Sequence, residues 1–76
     1  MSAHALRDIL DRLVAEMIRG GITLEEGREA LESRFIERAV SDADGHLGRA
    51  AEQLGIHRNT LARKITEYRL RVGAKG

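Results

Sequence analysis

The segment His57-Arg58-Asn59-Thr60-Leu61-Ala62-Arg63-Lys64 places His57, Arg58, Arg63, Lys64 and a hydroxyl around one large apolar residue. These side chains suit binding rather than bond-breaking. An Arg fork donates two parallel hydrogen bonds to a paired acceptor, such as the O6/N7 edge of guanine. A Lys ammonium or a Thr hydroxyl suits a single phosphate oxygen. Arg58 opens the helix that this segment predicts, so its guanidinium and the helix's positive end act on the same region. Thr60 has a local alternative, a back-bond near the helix start. Arg58 could also pair with Glu52, and Lys64 could simply be solvated.

No comparable arrangement supports catalysis. The chain has no nucleophile beside a base and no Gly-rich loop following a strand. Its three His residues, His4, His46 and His57, show no i, i+4 pairing and have no Cys or paired carboxylate at ligand spacing. Neither an enzyme, a cofactor nor a metal is expected.

Two short helices must hold the cationic segment. Helix three is predicted from about Leu47 to Leu54, with Leu47, Ala50, Ala51 and Leu54 facing inward. Gly55 closes it, because glycine enters the left-handed region without steric cost, and Ile56 plugs the turn. Helix four is predicted from Arg58 to about Leu70, with Leu61, Ile65 and Tyr68 at i, i+4 and i+7. Small alanines allow the two helices to cross closely. Two helices about a tight turn outline a helix-turn-helix. The same residues would also serve a plain helical packing contact.

The front of the chain is predicted to form two longer helices. From Ala3 to Arg19, the residues Leu6, Ile9, Leu10, Leu13, Val14, Met17 and Ile18 recur at three- and four-residue spacing, more apolar surface than one helix of a small domain can shelter. Gly20-Gly21 supplies a C-terminal cap. Thr23-Leu24-Glu25-Glu26 reads as a capping box, and helix two should run from Leu24 to about Ser41. Its stripe is Leu24, Leu31, Phe35, Ile36, Ala39 and Val40, while Gly27 marks a close backbone crossing. The two-Gly joint makes these helices an antiparallel hairpin. Asp42-Ala43-Asp44-Gly45 is the next break, and residues 72–76 are expected to fray.

With 76 residues, no Pro, two aromatics and an abundance of strong helix formers, the expected fold is all-α, four helices in one domain. Residues 1–44 would be dimerisation helices and residues 45–70 the helix-turn-helix. So short a chain has a small core, and the absence of Cys removes disulfide and zinc-thiolate support. Self-association, through Leu6, Leu10, Leu13, Met17, Leu31 and Phe35, is the expected remedy. No apolar run reaches a membrane span and no signal-peptide pattern stands at the N-terminus, which points to the cytoplasm. The net charge of +1 hides a division. Residues 1–45 carry 6 basic and 10 acidic side chains, residues 46–76 carry 7 basic and 2 acidic. A polyanion-binding half on an acidic scaffold fits that division.

The string Ala50-Ala51-x-x-Leu54-Gly55-Ile56-x-Arg58-x-Thr60-Leu61-x-x-Lys64-Ile65, with Phe35-Ile36, Ala39, Gly45 and Tyr68 around it, resembles the Fis family, named for the factor for inversion stimulation. The same helix-turn-helix forms the C-terminal DNA-binding domain of NtrC-like enhancer-binding activators. Helices one and two match the family's paired dimerisation helices, so the resemblance covers nearly the whole chain. It implies a bacterial, intertwined homodimer whose recognition helices lie closer together than one DNA turn, so that double-stranded DNA is bent on binding. It also implies Arg58 on base edges, Thr60 and Lys64 on phosphate, His57 and Arg63 at positions that touch DNA, and Arg49 as a phosphate contact in the first helix of the motif. There are departures. Gly45-His46 stands where the family usually has Gly-Asn, leaving His46 to cap or to donate to phosphate. Gly48 replaces a frequent hydroxyl residue, and Ala62 replaces a frequent basic one. The β-hairpin arm of the enteric protein has no counterpart.

The expected function is therefore a DNA-binding homodimer that regulates transcription or organises the nucleoid. A start at Met1 and a dimerisation hairpin of its own favour a complete small protein. The alternatives are the C-terminal domain of an NtrC-like activator and a helical adaptor that binds no DNA. The sequence does not specify the operator or a contact with RNA polymerase.

Overall fold

A computed structural model describes residues 2–70. They form α1 (Ala3–Arg19), α2 (Leu24–Asp42), α3 (Leu47–Leu54) and α4 (Arg58–Tyr68). The fold is all-α, as the sequence predicts. The expected fraying of residues 72–76 lies outside the described residues.

Local chemistry sets the boundaries. The Ser2 side chain caps α1 by accepting the Ala5 N–H at 3.2 Å. At α2 the Thr23 hydroxyl oxygen accepts the Glu26 N–H, and the Glu26 carboxylate accepts the Thr23 N–H at 2.9 Å, the reciprocal box the spacing predicts. The Thr23 N–H first, then the Thr23 hydroxyl donating to Glu26 Oε1 at 3.0 Å, hold the Glu26 carboxyl below the usual carboxylate range. Each helix ends through a reversed turn whose amide reaches five residues back: Ile22 to Met17, Gly45 to Val40, Ile56 to Ala51 and Leu70 to Ile65, all at 2.9–3.0 Å. The last of these stops α4 at Tyr68, two residues short of the expected end, with Arg69 turned into the left-handed region at φ 54°.

The core lies where α2, α3 and α4 meet. Ile36, Ala39, Val40 and Ala43 from α2 and its cap pack with Ala50 and Ala51 of α3 and Leu61 of α4, and all are buried. Leu47, Leu54, Ile56, Ile65 and Tyr68 flank them. Alanine on α3 keeps the crossing close, so a short helix can sit between two larger neighbours.

The front half is built differently. No residue of α1 is buried. The apolar stripe of α2 divides: its C-terminal part enters the core, while Leu24 is 89% exposed and Phe35 59%. At the α1–α2 joint an added Cβ on Gly27 would lie 3.4 Å from the Met17 methyl, so what approaches that glycine is a side chain and not the backbone crossing expected there. Beyond the joint an open apolar cleft of about 610 Å³ separates the helices, lined by Leu10, Leu13, Val14, Met17, Ile18 and Leu31 among others. No described helix is long and apolar enough to cross a membrane.

Candidate nucleic-acid interface

The motif begins at the α3–α4 elbow. Gly55 ends α3 at φ 73°, and the Ile56 amide reaches back to the Ala51 carbonyl at 3.0 Å. A side chain at that φ would press its Cβ against the next carbonyl. Ile56, half-buried against the core, fixes where α4 starts.

His57 is the N-cap of α4. Its Nδ1 accepts the Asn59 N–H at 3.0 Å. A nitrogen that accepts carries no proton, so the neutral ring keeps its proton on Nε2 and offers a donor at its outer edge. His46 holds the equivalent place before α3 but makes no side-chain cap bond, so of its two expected uses the capping one is not realised.

Leu61 pins the inner face of α4, with Ile65 and Tyr68 below it. Asn59, Ala62, Arg63 and Thr66 lie away from Leu61 and are exposed, as are His57 at the N-cap and Arg58 in the first turn. Thr60 is half-buried at the border between the faces. Among the described residues neither Arg58 nor Arg63 makes an ion pair, and no bridge joins Arg58 to Glu52. Arg49 on α3 is exposed on the same motif, and beside it a Cβ on Gly48 would meet open space.

Lys64 does not sit with these cations. Its Nζ lies 2.5 Å from Glu32 Oε1 on α2, and the two side chains are only 26% and 21% exposed. Arg28 Nη1 holds the other carboxylate oxygen at 3.1 Å. The bond from Lys64 is the largest cause holding the Glu32 carboxyl below its usual range, and Glu32 in turn holds the Lys64 ammonium above its own. Desolvation first, then Glu32, raises the Tyr68 hydroxyl. The expected free phosphate contact is therefore an ion-paired side chain, because Lys64 lies three residues after Leu61 and shares its inward face. Glu32 was not singled out by the sequence; that spacing was the available signal.

Leu6, Leu10, Leu13, Leu31 and Phe35, expected at a dimer seam, are between 41% and 59% exposed, and Met17 is half-buried against the joint. Among the described residues no group of three His, Asp or Glu could hold a metal ion.

Comparison with known proteins agrees with this arrangement. The profile of "Bacterial regulatory protein, Fis family" matches residues 27–68. The chain is 40% identical over 48 residues to the nitrogen fixation protein AnfA of Azotobacter vinelandii, a match spanning 63% of this chain and 9% of that protein. It is 36% identical over 59 residues to the hydrogenase transcriptional regulatory protein HoxA of Bradyrhizobium diazoefficiens, spanning 78% of this chain and 12% of the relative. The match thus covers about a tenth of either relative's length. No solved structure matches. With a family profile over more than half its length and a cationic helix presented across a glycine elbow, the chain belongs to the Fis family of bacterial regulatory proteins and is a DNA-binding regulatory domain.

Proposed function

We propose that this domain acts as a homodimer that binds duplex DNA with sequence selectivity, bends it, and thereby regulates transcription or organises the nucleoid in the bacterial cytoplasm. The observation that carries this reading is the division of α4: Leu61 is buried, Arg63 is exposed on the opposite side and Arg58 is exposed in the first turn, neither arginine ion-paired among the described residues. Arg58 at the helix start reads a base edge. Thr60, Arg63 and Arg49 take phosphates, with His57 and His46 as further donors. The homodimer is supported by α1, whose apolar stripe is left exposed among the described residues. An exposed face of that size marks an interaction surface.

Selection from random duplexes, with wild type and Arg58→Ala compared, tests the assignment. Wild type should enrich a defined site, and the variant should lose about 1–3 kcal/mol of preference at one base pair. An equal loss on every sequence would make Arg58 a phosphate contact, and no enrichment by wild type would end the reading.

A second reading has support from the relatives. AnfA and HoxA match over only 9% and 12% of their lengths, which favours the same unit serving as the DNA-binding domain of a larger activator. The length of the native gene product separates the two.

A further inference from the structure

We propose that Lys64 is a positioning residue: through Glu32 it locks the recognition helix α4 to α2, the helix that carries the uncovered apolar face, and so sets the angle at which α4 is offered. This rests on the DNA-binding reading above for its consequence, though not for the lock itself.

Both oxygens of Glu32 are taken, one by Lys64 of α4 and one by Arg28 of α2 itself. Tyr68 lies one turn beyond Lys64, and desolvation first, then the same carboxylate, raises its hydroxyl. The pair closes one wall of a small apolar cleft lined by Leu31, Phe35, Ile36, Leu54 and Ile56. Two of these, Leu31 and Phe35, are exposed apolar residues of α2. Glu32 therefore lies between the surface available to a second copy and the helix available to DNA. A phosphate reaching Lys64 would have to share its three-donor ammonium with Glu32 or draw it away from that carboxylate. A half-buried pair is costly to break from one side, because the partner's charge stays behind.

The test compares duplex affinity across a series of salt concentrations for the full chain carrying Lys64→Gln, the exchanged pair Glu32→Lys with Lys64→Glu, each single reversal, and Arg63→Gln. Wild type provides the reference slope. Loss of a phosphate contact flattens the log–log slope by about 0.9 per contact. Arg63→Gln should flatten it. Lys64→Gln should weaken binding several-fold at every salt concentration with the slope unchanged. Each single reversal should lose about tenfold or more, and the exchanged pair should regain most of it. A slope that flattens for Lys64→Gln as it does for Arg63→Gln, or no recovery in the exchanged pair, overturns the proposal. A DNA-free readout separates this from failure of the DNA reading. In NMR titration the Glu32 carboxyl should titrate below the usual range in wild type and return toward it in Lys64→Gln. An unshifted Glu32 in wild type refutes the lock even if DNA binds. A shift that is lost in Lys64→Gln upholds the lock even if no duplex is bound, and one fully retained in that variant belongs to Arg28 and refutes it.

Discussion

His57 Nδ1 accepts the backbone N–H of Asn59 at 3.0 Å, so one ring both caps the recognition helix and turns its remaining N–H outward. The two uses can be separated by substitution. His57→Asn keeps a cap acceptor and an outward donor, and should retain stability and DNA affinity. His57→Asp keeps the cap and places a negative charge beside the duplex, so stability should hold while affinity falls at least tenfold. His57→Ala should lose about 0.5–1 kcal/mol of stability as well as affinity. Thermal unfolding beside fluorescence anisotropy on a labelled duplex checks all three. Equal affinity for the Asn and Asp variants would remove His57 from the interface.

Leu13 is 41% exposed in the single chain, so an acidic replacement would cost a monomer little. Buried in a seam between two copies it would cost much, because one carboxylate per copy would enter an apolar layer. Leu13→Asp should abolish the dimer in sedimentation velocity and lower the unfolding temperature together. A folded variant as stable and as associated as wild type would show that α1 is not the seam.

Gly48 and Gly55 both face open space where a Cβ would stand, and they differ in backbone angle, Gly55 alone having φ 73°. Gly48→Ala in α3 should therefore stabilise by about 0.5–1 kcal/mol through helix propensity and a less flexible unfolded chain. Gly55→Ala should destabilise by about 1–2 kcal/mol. Denaturant unfolding midpoints of the two variants should move in opposite directions.

The Lys64–Glu32 pair gives stability a defined pH dependence. Glu32 has a lowered pKa in the folded state, so its contribution is complete above the unfolded glutamate value of about 4.3 and is lost as pH falls through the folded value. Lys64 has a raised one, so its contribution is complete below the unfolded lysine value of about 10.4 and is lost as pH rises through the folded value. Arg28 stays charged throughout. Wild type should thus lose more stability than Lys64→Gln as pH falls below about 4.3, measured by thermal melts across acid pH. Parallel curves would mean that the pair adds nothing to folding.

Much of this arrangement is legible in the sequence, for identifiable reasons. Capping signals are local, so Thr23-x-x-Glu26 and Gly55 mark their boundaries without tertiary information. Helical periodicity picks out Ile36, Ala39, Val40, Ala50, Ala51 and Leu61 as inward, and all are buried. It cannot tell which inward face is covered within the same chain, and so Leu31 and Phe35 share a stripe with Ile36 yet stay exposed. Charge type does not announce the Lys64–Glu32 pair for a related reason. A long aliphatic stem lets an ammonium emerge from an inward position, and its partner Glu32 is 32 residues away in the chain. The early stop of α4 at Arg69 carries no glycine to announce it.

Salt dependence of wild-type affinity for duplex DNA tests the cationic face of α4 most directly. With several phosphates neutralised by a dimer, the logarithm of affinity should fall linearly with the logarithm of salt, at a slope steeper than about −4. A flat line, or no binding at low salt, would contradict it.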